Sequence, residues 1–504
     1  VTSLKNVIFV LTDQQRTDTL GCYGNTVVRT DNLDALAASG TRFDRWYTPT
    51  AICTPARASL LTGAAPFRHK LLANHERNVG YLEDLADDQW TFPEALKDAG
   101  YNCGLIGKWH AGTKKAAADF GFEGPPMEGW HNPVDHPDYL DYLRERDLAP
   151  YAISDQMRGV LPNGAPGNLL AARLHQPLEA TFEYYMAERA IEMLRRYAAA
   201  AETDSTPFFL ALHYFGPHLP YIVPNEYFDM YDPDAISLPK SSSETFAGKP
   251  QVQENYSKHW AFDTMTEAES RKVIAVYWGY VTLIDEQIGR VLDTARELGL
   301  MDSTALFFSS DHGEFTGAHR LHDKGPAMYE DIYSTAGIVR MPGGPEGQER
   351  QEFVSLMDCT ATILQWCGLD PAPAVDSRSL MPLVMGETPE WDDHIVCEFH
   401  GHHFPYPQRM IRDARYKLVI NPESVNELYD LKTDPDELQN RYNHPELVAI
   451  RTGLMARLYH RLRERGDNFH HWMATMYDVG GLDYDPSLSG FDEAAYSSDE
   501  GGGQ

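Results

Sequence analysis

The sequence predicts an α/β fold: a large mixed, mostly parallel sheet sandwiched by helices, followed by a smaller C-terminal α+β subdomain. Three observations carry this prediction. Apolar runs of strand length, such as Val7–Leu11, are continuous rather than alternating, as expected for strands buried on both faces. These runs alternate along the chain with helical patterns. Several of them end directly in polar clusters, and open α/β sheets keep their ligands at that carboxyl edge.

The first strand covers Asn6–Thr12 and runs into Asp13-Gln14-Gln15. Asp31–Ser39 follows as a small amphipathic helix stopped by Gly40. Cys53 then stands at the mouth of a short helix. Pro55 occupies an early helical position where its missing N–H costs nothing, Ala56–Leu61 supply helix formers, and Gly63 is a C-cap. The side chain of residue 53 therefore lies near the positive end of a helix dipole, where anions bind, and Arg57, one turn on, points back to the same spot.

Thr91–Gly100 reads as a helix leading into a strand, Tyr101–Ile106, that ends in Gly107-Lys108-Trp109-His110. Residues 113–178 are rich in Pro, Gly, His and Asp and predict long loops with short helices lining a binding face. Thr181–Ala200 is helical, with Met186, Ala190, Met193, Leu194 and Tyr197 on one stripe. The strand Pro207–Tyr214 ends in Phe215-Gly216-Pro217-His218, and 232–265 reads as irregular. A capping box, Thr266 with Glu269, opens a long helix to Leu298 that Gly299 closes. Ala305–Ser310 is the next buried strand, ending in Asp311-His312-Gly313-Glu314. From about 390 the texture changes to strands at His394–His400, Met410–Ile420 and Glu427–Leu431, then a helix over Pro445–Arg465. The Ser/Asp/Glu/Gly-rich tail Ser487–Gln504 is expected to be loosely ordered or draped over a neighbour, which would make it a route to a homo-oligomer. These textures place a first domain at 1–388 and a second at 389–504.

At 504 residues and 42% hydrophobic, the chain can bury a large core in at least two subdomains. The formal net charge of -31 argues against nucleic acid or an anionic membrane as partner. No apolar run approaches the roughly 18–20 residues needed to cross a membrane. The first residues lack a basic segment followed by a signal-peptide core, and the six scattered cysteines contain no CxxC pair. The expectation is a cytoplasmic protein without a disulfide framework.

Two strand ends, Asp13-Gln14 and Asp311-His312, offer carboxylate and amide oxygens with one imidazole. Oxygen donors suit a hard divalent cation such as Ca²⁺ or Mg²⁺, and the imidazole leans towards Mn²⁺. Arg57, Lys108, His110, His218 and Lys324 form a second set on the same edge. A cation beside so many cationic or protonatable side chains makes sense around an anionic substrate. The combination points to sulfate or phosphate chemistry, in which the protein positions groups and neutralises charge.

These residues also carry a resemblance. Cys53-Thr54-Pro55-Ala56-Arg57, continued by Leu60-Leu61-Thr62-Gly63, is similar to the C-x-P-x-R signature of the type I sulfatases, within the alkaline phosphatase superfamily. Gly107-Lys108-Trp109-His110, Pro217-His218-Leu219-Pro220, Ser310-Asp311-His312-Gly313-Glu314 and His322-Asp323-Lys324-Gly325 resemble further motifs of that family, as do Arg415-Tyr416-Lys417-Leu418 and Glu427–Leu431. The resemblance spans about residues 5–445.

The resemblance implies that a separate generating enzyme oxidises Cys53 to formylglycine, whose hydrated diol attacks sulfur and then collapses to release sulfate. It implies that Asp13, Gln14, Asp311 and His312 bind one metal ion with residue 53, Ca²⁺ first and Mn²⁺ or Mg²⁺ as alternatives. Arg57 and Lys108 then hold the diol, and His110 is the base. His218 and Lys324 grip the sulfate oxygens and protonate the leaving oxygen. The activity implied is hydrolysis of a small organic or sugar sulfate, with aryl sulfates accepted. Gln14 and His312, where many sulfatases have Asp and Asn, resemble instead the phosphonate and phosphodiester hydrolase branch; the Lys108 and His110 pair is the sulfatase pattern. Asn74 and Asn78, with His75 and Arg77, and the cluster His400, His402 and His403 are candidates for contacting the alcohol part. Trp130 and His131 are candidates for stacking on its ring.

Overall fold

The computed structural model describes residues 5–477 except 81, 126, 128, 130, 374, 375 and 423. Chain contacts divide the protein into two compact units, one running to Asn440 and the other starting at Arg441. The second is helical where described, with Val448–Glu464 followed by Phe469–Met476. The Ser487–Gln504 tail, and with it the expected oligomer contact, lies outside the described residues.

The large sheet of the first unit has eight strands. Seven lie in the order Gln348–Arg350, Thr41–Tyr47, Ser334–Arg340, Thr304–Ser310, Asn6–Thr12, Phe208–His213, Asn102–Gly107, and the eighth, Val354–Ser355, pairs with Thr41–Tyr47. The four strands from Thr304–Ser310 to Asn102–Gly107 are mutually parallel, and Ser334–Arg340 runs antiparallel to both its neighbours. The sheet is therefore mixed and mostly parallel, as the apolar runs predict.

Its central strands are buried on both sides. Ile8 and Val10 face one apolar cluster while Val7, Phe9 and Leu11 face the other, and Leu306 and Phe308 alternate with Phe307 in the same way. The long helices Phe182–Asp204 and Glu267–Glu297 cover the first face through Met186, Ala190, Met193, Leu194, Val276, Leu283 and Ile288. The helices Cys53–Thr62, Phe92–Asp98 and Asp358–Cys367 cover the second through Leu61, Leu96 and Ile363. Each fully buried Val, Leu, Ile or Met side chain among them contributes about 1.5–3 kcal/mol. Thr266 and Glu269 form the capping box that starts Glu267–Glu297, with the Thr266 hydroxyl accepting from Glu269 N at 3.2 Å.

Three local expectations are corrected. Within 113–178 the chain forms the strands Ile153–Met157 and Ala171–Leu174, which join Tyr221–Pro224 in a three-stranded sheet. Their alternation is broken by polar residues such as Asp155 and Arg173, so periodicity hides them. Within 232–265, Gln251–His259 is helical although it lacks an apolar stripe; Gln253, Tyr256 and Ser257 are the residues it buries. The stretch 410–420 is two strands rather than one. Asp413 accepts hydrogen bonds from the Arg415 and Tyr416 amides at 2.9 and 2.8 Å, turning the chain between Phe404–Asp413 and Tyr416–Ile420. These strands form a four-stranded antiparallel sheet with His394–His402 and Glu427–Asp430 inside the first unit.

Candidate active site

Four parallel strands deliver their polar ends to one edge. Asn6–Thr12 leads to Asp13 and Gln14, Thr304–Ser310 to Asp311 and His312, Asn102–Gly107 to Lys108 and His110, and Phe208–His213 to His218. Gly107 has φ of +102°, and a Cβ there would lie 2.0 Å from the His213 carbonyl. Only glycine fits this close approach, which lets the Lys108 amide bond that carbonyl at 2.8 Å. Cys53 opens the helix Cys53–Thr62, which Gly63 closes in the left-handed region with its amide on Ser59 O. The Thr54 amide at the helix start is accepted by Asn74 Oδ1 at 3.0 Å, so Asn74 holds the Cys53 turn in place.

Asp13, Cys53, Asp311 and His312 are all buried, and one ligand atom from each lies within 4.8 Å of the others. Cys53 Sγ sits 3.1 Å from His312 Nε2 and 3.9 Å from Asp13 Oδ1. Arg57 bridges the two carboxylates, donating from Nη2 to Asp13 at 2.9 Å and from Nε to Asp311 at 3.0 Å. Lys108 Nζ donates to Asp13 at 2.6 Å. The Gln14 backbone, at φ +63°, donates to Asp311 Oδ1 at 3.2 Å. Its side-chain amide donates to Glu314, and its oxygen accepts from Lys324 Nζ at 3.0 Å.

The electrostatics follow from this packing. Burial alone would raise the Asp13 carboxyl, but Lys108, His218, Arg57 and His312 together hold it well below the usual range. Burial pushes Asp311 up, and the adjacent Asp13 charge adds to that. Burial opposes a charge on His312, yet Asp311 and Cys53 lift its imidazole to about 9. The cluster thus draws positive charge to the point where its donors converge. A divalent cation answers the same pull with both carboxylates ionised and His312 neutral, so the donor set fits one.

His218 and Lys324 meet beside this cluster, with Lys324 Nζ 2.9 Å from His218 Nε2 and from Asp323 Oδ1. Burial and the Lys324 charge keep His218 neutral, while Asp323 helps raise Lys324 against burial. His110, at φ +42°, is buried and kept neutral by desolvation and then by Lys108. Its Nδ1 finds no hydrogen-bond partner among the described residues.

Two cavities open from His218 and Leu219. One, of about 470 Å³, is lined by Asn74, His75, Lys324, His402 and His403. The other, of about 320 Å³, is lined mainly by aromatic and aliphatic side chains, including Tyr139, Phe182, Phe215 and Tyr280, with His131 at its wall. Its carboxylate, Glu183, accepts from Tyr280 at 2.6 Å and Asn132 at 2.9 Å, and burial raises it. The remaining candidates lie apart from these walls. His400 turns to Glu398 at 3.0 Å and stacks on Phe67, Asn78 donates to the His403 carbonyl at 3.3 Å, and Arg77 pairs with Glu83. Trp130 lies outside the described residues.

Sequence reasoning assigned no role to Glu314, Asp323, Glu76 or Glu183. Glu314, raised to about 7 by burial and by Asp323, anchors Gln14; Asp323 anchors Lys324. Their places immediately after His312-Gly313 and before Lys324 were the available signal. Glu183 and Glu76 carry no such mark.

Residues 5–369 match the family model described as Sulfatase, and residues 317–464 match one described as N-sulphoglucosamine sulphohydrolase, C-terminal. The chain is 28% identical over 464 residues to a protein named uncharacterized sulfatase YidJ of Escherichia coli (strain K12), covering 89% of this chain and 85% of that one. It is 28% identical over 471 residues to an arylsulfatase of Clostridium perfringens (strain 13 / Type A), covering 88% and 91%. Among solved structures, the phosphonate monoester hydrolase of Agrobacterium radiobacter superposes with a TM-score of 0.75 at 25% identity, covering 92% of this chain and 96% of that one.

Proposed function

The chain belongs to the sulfatase family and is a sulfuric ester hydrolase; within that class we propose that it cleaves a small organic sulfate monoester at the cluster around Cys53. The observation that carries this reading is the convergence of Asp13, Cys53, Asp311 and His312 in one buried cluster, next to the cationic Lys324 and neutral His218. The mostly apolar cavity that opens from His218 favours an aryl or alkyl leaving group over a highly hydroxylated one.

In this reading Asp13, Asp311 and His312 hold a divalent ion with residue 53, and the Gln14 amide oxygen lies close enough in sequence to join them. Oxygen donors favour Ca²⁺, and the imidazole leaves Mn²⁺ or Mg²⁺ as alternatives. The ion supplies Lewis acidity, and a formylglycine made from Cys53 by a separate enzyme supplies the nucleophilic hydroxyl. Arg57 and Lys108 fix the carboxylates and neutralise developing oxyanion charge. Neutral His110 accepts the proton given up at position 53. Lys324 and His218 bind the sulfate oxygens and hold a proton for the departing alkoxide. Asn74, His402 and His403 line the second cavity that opens from His218, where a bulkier alcohol would extend, with Asn78 and His400 behind them.

A second reading, phosphonate monoester or phosphodiester hydrolysis, draws on Gln14 and His312 and on the Agrobacterium radiobacter likeness. The kcat/KM ratio for an aryl sulfate against an aryl phosphonate monoester and a phosphodiester separates the two. A ratio above one supports the sulfatase; dominant phosphodiesterase activity overturns it. The peptide containing residue 53 should weigh about 18 Da less than its cysteine form, whereas ordinary thiol oxidation adds mass.

A further inference from the structure

The 470 Å³ cavity beside Lys324 carries a second set of ligating side chains. Glu76 Oε1 lies 3.8 Å from His402 Nε2 and 3.8 Å from His403 Nδ1, and the two imidazole rings stack at 3.9 Å. At 3.8 Å these nitrogens do not hydrogen-bond the carboxylate. The gap is about half an ångström wider than the ~3.3 Å ligand–ligand edge of a tetrahedral ion with bonds of about 2.0–2.1 Å. A small side-chain rotation closes it.

Each donor is held from behind. Glu76 Oε2 accepts from the Asn74 and His75 amides at 3.1 Å each, which leaves Oε1 towards the histidines. Tyr256 bonds His402 Nδ1 at 2.8 Å, fixing the ring so that Nε2 faces Glu76. His403 is set at φ +67°, just after a bulge in which the pairing register shifts between Phe399 and Gly401. Bulges and left-handed non-glycine residues re-aim side chains at a cost in backbone energy. Here that cost, at the turn between His394–His402 and Phe404–Asp413, lets the His403 ring stack on that of His402.

We propose that Glu76, His402 and His403 form a second metal site, which binds a borderline divalent ion of the zinc type. Two imidazoles and one carboxylate suit Zn²⁺, Co²⁺, Ni²⁺ or Cu²⁺ better than Ca²⁺ or Mg²⁺, so this site and the oxygen-rich Asp13–Asp311 cluster select different ions. Three protein ligands leave a coordination position open to the cavity. An ion there would meet an oxygen donor on whatever occupies the space next to His218 and Lys324. The binding claim stands independently of the sulfatase reading.

The test is Co²⁺ titration of the full chain in millimolar Mg²⁺, followed by visible absorption and calorimetry. One equivalent should bind with a d–d band, should survive Asp13→Asn and His175→Ala, the latter an exposed histidine bonded to Ser154 outside the cavity lining, and should weaken at least about tenfold in Glu76→Gln, His402→Ala and His403→Ala. The His403 side chain is 46% exposed, so His403→Ala tests the site even where the buried variants misfold. Failure to bind Co²⁺ in excess Mg²⁺, or equal binding by His403→Ala and the parent chain, overturns the proposal.

Discussion

Lys324 Nζ and His218 Nε2 lie 2.9 Å apart, while His218 Nδ1 lies 2.5 Å from the Leu219 carbonyl. A carbonyl can only accept, so the His218 proton is on Nδ1, and Nε2 accepts from the ammonium. The tautomer is set by the backbone. In the proposed mechanism Lys324 would therefore bring both a charge and a shared proton to the departing oxygen.

Replacing Lys324 with Ala should lower kcat by about 10²–10⁴-fold. Lys324→Arg should rescue little, because the guanidinium cannot occupy a pocket shaped by Asp323, Gln14 and His218. The loss should shrink for esters of acidic phenols, which depart without a proton. An unchanged leaving-group dependence would contradict the proton-delivery role.

Cys53→Ala should abolish turnover, and so should Cys53→Ser, while far-ultraviolet circular dichroism and the thermal midpoint stay close to the parent. Full activity in either variant would remove residue 53 from the reaction.

Asp311→Asn should reduce both divalent-ion affinity and kcat/KM, each by about 10²-fold or more. Chelation of the parent enzyme should reproduce the loss, and excess Ca²⁺, Mn²⁺ or Mg²⁺ should restore it; the ion that restores best identifies the native metal.

Away from the site, Glu244 pairs with the buried Lys249 and accepts from His319 Nδ1 at 3.0 Å. Burial opposes its charge, but His319 and Lys249 hold its carboxyl at about 2, below the ordinary 4.5. The depressed value means that the ionised form favours folding. That contribution is full above pH 4.5 and drains away as pH falls towards 2. Glu244→Gln should cost about 3–5 kcal/mol in denaturant unfolding at pH 7 and less at pH 3. A cost that does not change with pH would point to shape rather than charge.

Thr266→Ala should cost about 1 kcal/mol by removing the capping box of the longest helix, with no effect on KM.

Most of the sheet and the strand ends was legible because the signal was local. Continuous apolar runs marked the parallel strands, and polar residues directly after them marked the edge. The strands Thr41–Tyr47 and Ser334–Arg340, antiparallel to each other, escaped because Arg42, Asp44 and Arg45 in the first, and Ser334 and Gly337 in the second, interrupt their apolar pattern. The cluster around Cys53 could be read from motifs. The roles of the support beneath it could not: Glu314 and Asp323 stand beside motif residues, but that one anchors Gln14 and the other Lys324 follows from contacts that spacing does not reveal. Glu76 is the clearest case, since its histidine partners His402 and His403 are more than 320 residues away, as the separation of 327 from His403 shows.

Cys53 has no exposed surface and touches His312, 259 residues further along the chain. On a ribosome adding roughly 5–20 residues per second, about 13–50 seconds pass between the synthesis of the two. During that interval the strand that seals the cysteine has not been made. Any catalyst that modifies the thiol must act in that window or on a chain kept open afterwards. If residue 53 is matured as proposed, the age of the chain, as much as the sequence around Cys53, would decide what fraction of molecules becomes competent.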